Sequence, residues 1–209
     1  MPADLKLTEF LARTASSDPV PGGGSVSALG GAIAAALSEM VANLTIGKKG
    51  YETSGNDMLE VVKESRNLRE KLVADIDRDS EAYGHVMAAF RLPNDTEEQK
   101  RKRGQAVQDG LKKAALVPLG IARDAGHILD LAGKVVAEGN KNAVTDGAVA
   151  AMMARTAVLG ALLNVKINLA SIKDVSFVED ISRQIREIES GVDYKEKEIL
   201  SKVGLSRQN

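Results

Sequence analysis

Pro19-Val20-Pro21-Gly22-Gly23-Gly24-Ser25 runs without a break into Val26-Ser27-Ala28-Leu29-Gly30-Gly31-Ala32-Ile33-Ala34-Ala35-Ala36-Leu37-Ser38-Glu39-Met40-Val41, and the join between them decides the fold. The prolines set the entry path, and three glycines let other groups approach the backbone where a Cβ would block them. The residues that follow are helix formers, so unpaired N–H groups at the helix start face the glycine loop. Such a corner either holds a polar ligand or serves as a hinge between two packed helices. No Gly-Lys-Ser/Thr closes the glycine run, which excludes a Walker loop. No strand precedes it, which excludes a dinucleotide fingerprint.

From Val26 to Ile46 the only charge is Glu39. Ser, Gly, Asn and Thr are too frequent there for a membrane span, and aromatic flanks are missing. The segment reads as a helix buried nearly all round inside protein. Its small faces at Gly30, Gly31, Ala34 and Ala35 suit close helix–helix contact, including contact across a subunit boundary.

Periodicity of 3.6 residues continues along most of the chain, and strand signals are nearly absent, so the expected fold class is all-α: one multihelical domain over residues 1–209. A short helix is expected over Asp4–Ala15, with Leu5, Leu7, Phe10 and Leu11 inward. The buried helix follows over about Ser25–Ile46. A third helix spans about Asn56–Arg91, with Leu59, Val62, Leu68, Leu72, Ile76, Tyr83, Met87 and Phe90 on its apolar stripe. Leu92-Pro93-Asn94-Asp95 ends it, and Asp95 is placed to cap the next helix. Thr96-Glu97-Glu98-Gln99-Lys100-Arg101-Lys102-Arg103 puts acid before base, as the helix dipole favours, and reads as a solvated face. Pro118 is expected to kink or divide this fourth helix before its end near Ala137. Asn142 is placed to cap a fifth helix to about Leu169. Ser176-Phe177-Val178-Glu179 has capping-box spacing and opens a last helix to about Leu205.

Hydrophobic residues make up 44% of the 209 residues and aromatics 3%, so the core must be aliphatic and rich in small side chains. Twenty-eight basic against 29 acidic residues leave no global field to recruit nucleic acid or anionic lipid. Cysteine is absent, which excludes disulfides and thiolate metal sites, and no signal peptide is visible. The expectation is a soluble, cytoplasmic protein that binds neither nucleic acid nor membrane. His85 and His127 lack partners at ligand spacing, so no metal site is expected. Asp75-x-Asp77-x-Asp79 has the spacing of a calcium loop but lies mid-helix, without the turn glycine or the closing Glu.

Asp79 falls on the apolar stripe of the third helix, three residues after Ile76 and four before Tyr83. A carboxylate there is either paired within the fold or raised in pKa and suited to proton transfer. Asp75, one turn earlier, is placed to share its site. Asn164 and Asn168 share one face of the fifth helix and either tether helices or read a ligand, with tethering favoured for Asn168. Arg155 and Lys166 either steer an anionic substrate or snorkel to solvent.

Taken in order, Pro21-Gly22-Gly23-Gly24-Ser25-Val26, Leu44-Thr45-Ile46-Gly47-Lys48-Lys49 with Tyr51-Glu52, Asp79 with Ala82-Tyr83, Gly139-Asn140-x-Asn142, Thr145-Asp146 and Asn164-Val165-x-Ile167-Asn168-Leu169 resemble the cyclodeaminase/cyclohydrolase enzymes of folate one-carbon metabolism. The pieces recur in the family's order between residues 21 and 169. Thr145 replaces a usual Ser, Gly50 stands where a longer polar side chain is usual, and Arg155 and Lys166 lie outside the pattern. The resemblance implies an all-helical subunit, an intimate homodimer, and no metal or redox cofactor, a tetrahydrofolate derivative being the substrate. It implies methenyltetrahydrofolate cyclohydrolase activity, or alternatively formiminotetrahydrofolate cyclodeaminase activity. Asp79 is then the base or cation-stabilising group. Lys48 is a proton donor or a folate-carboxylate ligand, and Tyr51 stacks on or hydrogen-bonds to the pterin. Gly22, Gly23, Gly24 and Ser25 cradle polar atoms, while Asn140, Asn142, Thr145, Asp146 and Asn164 read the pterin or its surroundings. A non-catalytic helical oligomerisation module is the rival reading from another class, with a membrane-surface role more distant.

Overall fold

The computed structural model describes residues 1–204, and no strand occurs among them. Six α-helices carry the fold: α1 (Leu7–Thr14), α2 (Gly23–Asn43), α3 (Gly55–Phe90), α4 (Glu97–Glu138), α5 (Val144–Leu169) and α6 (Val175–Ser201). Single 3-10 turns lead into α1, α3 and α5.

α2 is the axis of the molecule, lying against α3, α4 and α5. Small residues allow this. A Cβ on Gly31 would stand 3.0 Å from Leu72 of α3 and 3.7 Å from Ala157 of α5, so the two neighbours close on one glycine from two sides. The contacts Gly31–Leu72 and Glu39–Arg66 set α3 antiparallel to α2, and Gly23–Asn164 with Gly30–Ala157 do the same for α5. Glu39, the one charge of α2, is buried but accepts from Arg66 Nε at 3.0 Å and Arg69 Nε at 3.1 Å, which offsets its desolvation. α4 packs along α5 and α3, and α6 closes over α4 and α5. Arg155 reaches Asp193 and Glu196, and Lys166 reaches Glu189, so both bases tie α5 to α6 rather than facing a ligand.

The all-helical reading holds, but several boundaries move. Thr96, not Asp95, caps α4: its Oγ1 accepts from the Gln99 N–H at 3.2 Å while Gln99 Oε1 accepts from the Thr96 N–H, a reciprocal closure that Asp95 cannot make. Asp174, not Ser176, caps α6 by accepting from the Phe177 N–H, and Ser176 donates to that same carboxylate. α5 has Ala143 at its N-cap instead of Asn142, because Asn140 accepts the Asn142 N–H and winds the chain into a 3-10 turn first. Pro118 does not divide α4, which runs unbroken through it. α6 ends at Ser201, before Leu205, which lies outside the described residues.

Burial also differs. Of the α1 residues expected inward only Phe10 is buried, while Leu7 and Leu11 are exposed. On α3, Leu72 and Ile76 are core, but Leu59, Tyr83 and Phe90 are exposed. α2 is not covered all round: Val26, Ile33 and Met40 lie open along one stripe. On α5, Val149, Met152, Leu163 and Ile167 are likewise exposed, the last by 70%. Because α2 and α5 lie side by side, these residues mark one long apolar face. By length and apolarity alone α2 and the segment 141–169 could each cross a bilayer, yet 61% of the α2 window is buried within the protein.

Candidate active site

The N-terminal turn of α2 meets α3 at Asp79. Val26 N–H makes the first intrahelical bond, to the Gly22 carbonyl, leaving the N–H groups of Gly23, Gly24 and Ser25 free of helical partners. A Cβ on Gly24 would overlap all three atoms of the Asp79 carboxyl group, so the third glycine is what lets that carboxylate reach the helix end. Ser25 Oγ, fully buried, lies 3.0 Å from Asp79 Oδ2 and 3.0 Å from the Ile76 carbonyl oxygen. A hydroxyl has one proton. It donates to Asp79 when the carboxylate is ionised, and to Ile76 when Asp79 is protonated and itself donates to Oγ. Ser25 therefore accommodates both protonation states without moving.

Burial pushes the Asp79 carboxyl above the usual carboxylate range; the Ser25 hydroxyl and N–H oppose this, and the Asp75 charge adds to it. No lysine or arginine among the described residues pairs with Asp79. Asp75 does not share the site: it is buried one turn away, bonded to Arg78 at 2.7 Å. Asp79 instead lines a cavity of about 400 Å³ together with the glycine turn, Tyr83, Met87, Phe90, Asn164 and Asn168, among others. Asn164 lies against Gly23, and its Nδ2 donates to the Gly160 carbonyl, leaving Oδ1 for a ligand. Asn168 donates from Nδ2 to the Ala114 carbonyl at 3.0 Å, tethering α5 to α4. Tyr83, Met87 and Phe90, expected on the apolar stripe of α3, line this cavity. They continue the Asp79 stripe at helical spacing, and an apolar stripe that lines a cavity carries the same sequence signal as one that is buried.

The other expected site residues gather elsewhere. Lys48 Nζ donates to Asn140 Oδ1 at 2.5 Å and lies 5.7 Å from the centre of the Tyr51 ring. Tyr51 Oη accepts from the Lys141 N–H at 3.0 Å. The Asn140 N–H donates to Thr45 Oγ1 at 2.8 Å, and its Nδ2 donates to the Leu44 carbonyl. Gly47 and Gly50, with φ of +72° and +88°, form the left-handed corners that turn Lys48 back onto this group; at Gly50 a side chain would be strained. Thr145 and Asp146 stand in the first turn of α5 beside it. This second cluster sits past the C-terminus of α2, whereas Asp79 sits at its N-terminus. Twenty residues of helix place them roughly 30 Å apart within one chain. Gly22–Ser25, Asp79 and Asn164 thus come together, and Lys48, Tyr51, Asn140, Asn142, Thr145 and Asp146 come together, but the two groups do not meet.

Residues 6–187 match the family model described as formiminotransferase-cyclodeaminase. A methenyltetrahydrofolate cyclohydrolase from Methylorubrum extorquens is 40% identical over 88% of this chain and 89% of its own. The formimidoyltransferase-cyclodeaminase of Gallus gallus is 34% identical over 86% of this chain, which there spans only 33% of the longer protein. Among solved structures, the formiminotetrahydrofolate cyclodeaminase of Thermotoga maritima superposes with a TM-score of 0.86 at 32% identity, covering 96% of both chains. With fold and sequence in agreement, the chain belongs to the formiminotransferase-cyclodeaminase family of folate one-carbon enzymes.

Proposed function

We propose that this protein is a cytoplasmic methenyltetrahydrofolate cyclohydrolase, converting 5,10-methenyltetrahydrofolate and water to 10-formyltetrahydrofolate. The observation that carries the reading is Asp79: a partly buried carboxylate without a cation partner among the described residues, held by Ser25 and lining an apolar-walled cavity. The methenyl substrate is a delocalised amidinium cation and supplies the missing charge.

Water adds to the methenyl carbon while Asp79 takes its proton, giving a neutral tetrahedral carbinol between N5 and N10. Asp79 then returns that proton to N5. The C–N5 bond breaks as the carbinol hydroxyl loses its own proton to solvent, and the formyl group remains on N10. One proton is released overall, and no cofactor enters the scheme. A raised pKa suits the second step, because the conjugate acid of Asp79 must give its proton away near neutrality.

The alternative is formiminotetrahydrofolate cyclodeaminase, favoured by the Thermotoga maritima structure's own description. There N10 attacks the formimino carbon, and ammonia leaves in place of water. Spectrophotometry with each substrate offered separately decides: loss of methenyl absorbance without ammonia supports the cyclohydrolase, and its appearance with ammonia supports the deaminase. Neither change in a folded sample refutes both.

The separation of Asp79 from Lys48 leads us to propose a homodimer. The apolar face of α2 and α5 runs between the two clusters, and its natural occupant is the same face of a second copy. A two-fold axis perpendicular to α2 sets the helices antiparallel and brings the Asp79 end of each subunit to the Lys48 end of the other. Lys48 and Tyr51 would then serve a site in the opposite subunit. Sedimentation velocity tests this, and Ile33→Glu should yield monomers; a wild-type monomer that turns over substrate would overturn it.

A further inference from the structure

A second cavity adjoins the Asp79 cavity at Phe90. That ring also walls this neighbouring cavity of about 490 Å³, whose lining includes Lys100, Arg103 and Lys173. The two cavities follow the same pair of helices. From Asp79 to Phe90 along α3, and from Ala114 back to Arg103 along antiparallel α4, there are eleven residues each, or roughly 16 Å. The groove is thus acidic at one end, aromatic and apolar in the middle and basic at the other.

The basic end is held in place. Gln108 of α4 donates from Nε2 to the Ser171 carbonyl at 3.1 Å and accepts the Lys173 N–H at 2.7 Å, clamping the α5–α6 connection against α4. Lys112 binds Asp174 at 2.7 Å and fixes the next residue. Lys100 is paired with Glu97, whereas Arg103 and Lys173 make no ion pair among the described residues, and Arg103 is half-buried. The acid-then-base run at the start of α4 is therefore not solely a solvated face: Lys100 and Arg103 turn toward this cavity.

We propose that Arg103 and Lys173 bind the carboxylates of the substrate's glutamyl tail. This deepens the folate reading and rests on it. With the one-carbon unit at Asp79, the p-aminobenzoyl ring passes Tyr83, Met87 and Phe90, and the tail carboxylates arrive at the two unpaired cations. The length of the groove is on the scale of an extended p-aminobenzoyl-glutamate. A guanidinium takes a carboxylate in bidentate fashion, and the nearby ammonium binds the second carboxylate.

The test compares 5,10-methenyltetrahydrofolate with 5,10-methenyltetrahydropteroate, which lacks the glutamate. The wild-type enzyme should prefer the tailed substrate in kcat/KM, through KM. Arg103→Ala with Lys173→Ala should shrink that preference by roughly 10- to 100-fold, the scale of one or two lost charge-assisted bonds. Arg103→Glu should shrink it further, and Arg103→Lys should restore part of it. Unchanged preference in variants with wild-type circular dichroism overturns the proposal, as does an equal loss on both substrates. Failure of the wild-type enzyme on both substrates would instead refute the cyclohydrolase reading on which the proposal rests.

Discussion

Replacing Gly24 by Ala separates the chemistry of this site from its stability. The added methyl would leave even the farther Asp79 oxygen only 2.6 Å away. Ordinary contact requires the carboxyl to retreat by roughly 1 Å. Two stability effects oppose each other. Ala restricts the unfolded chain and gains about 0.4–1 kcal/mol, while crowding a packed position costs about 1–3 kcal/mol. The expected net is a loss of about 1 kcal/mol, a few degrees of Tm in a chain of this size. The effect on rate is larger: misplacing a reacting group by that distance costs about 100-fold, or about 2.7 kcal/mol of barrier. Steady-state absorbance of the methenyl compound gives kcat/KM, and a thermal melt gives stability. Gly84→Ala on α3, where nothing lies within 4 Å of the new methyl, is the control and should be fully active and slightly more stable. If folded Gly24→Ala keeps activity within about threefold of wild type, Asp79 is not the reacting carboxylate.

Asp79→Asn should lower kcat by about 10²–10⁴ and raise Tm at neutral pH. The sign follows from the raised pKa: the native state binds the proton more tightly, so ionising Asp79 destabilises the fold as pH rises past the unfolded value. The gain should therefore vanish below the ordinary aspartate value of 3.8; a gain persisting there would contradict the assignment. Inactive Asp79→Asn and Lys48→Ala homodimers, dissociated and re-associated together, should recover about a quarter of wild-type activity, since half the dimers then hold one intact site of two. No recovery despite proven subunit exchange rejects the shared site. Glu39→Ala should cost about 1–3 kcal/mol in urea denaturation, because Arg66 and Arg69 lose their common partner but can turn to solvent. Asp174→Asn should lower Tm at neutral pH but not in strong acid, since Lys112 and the Phe177 N–H hold that carboxyl well below the usual range and its contribution is lost as pH falls.

Helical periodicity made the six α-helices legible, and the polar position of Asp79 on an apolar stripe marked the catalytic candidate. Caps were harder, because adjacent residues compete. Asp95 and Thr96 can both cap, and the choice falls to Thr96 only through its exchange with Gln99. Composition registers burial but not what does the burying, so Val26, Ile33 and Met40 read as core although this chain leaves them open. For the same reason Tyr83 and Phe90 read as interior when they line a cavity. The distance between Asp79 and Lys48 was itself implicit: a helix expected over Ser25–Ile46 already sets its two ends far apart, whatever the tertiary fold.

α2 is thus a ruler as well as a core helix, with the carboxylate-holding turn at one tip and the lysine turn at the other. Removing one residue would shorten it by about 1.5 Å and swing one tip by about 100° relative to the other. Even three or four residues, close to one turn, would leave the tips about 40–60° out of register and about 5 Å nearer or farther apart. Insertions in this protein should accordingly be absorbed in its connections, while the residue count between Gly23 and Asn43 admits no drift.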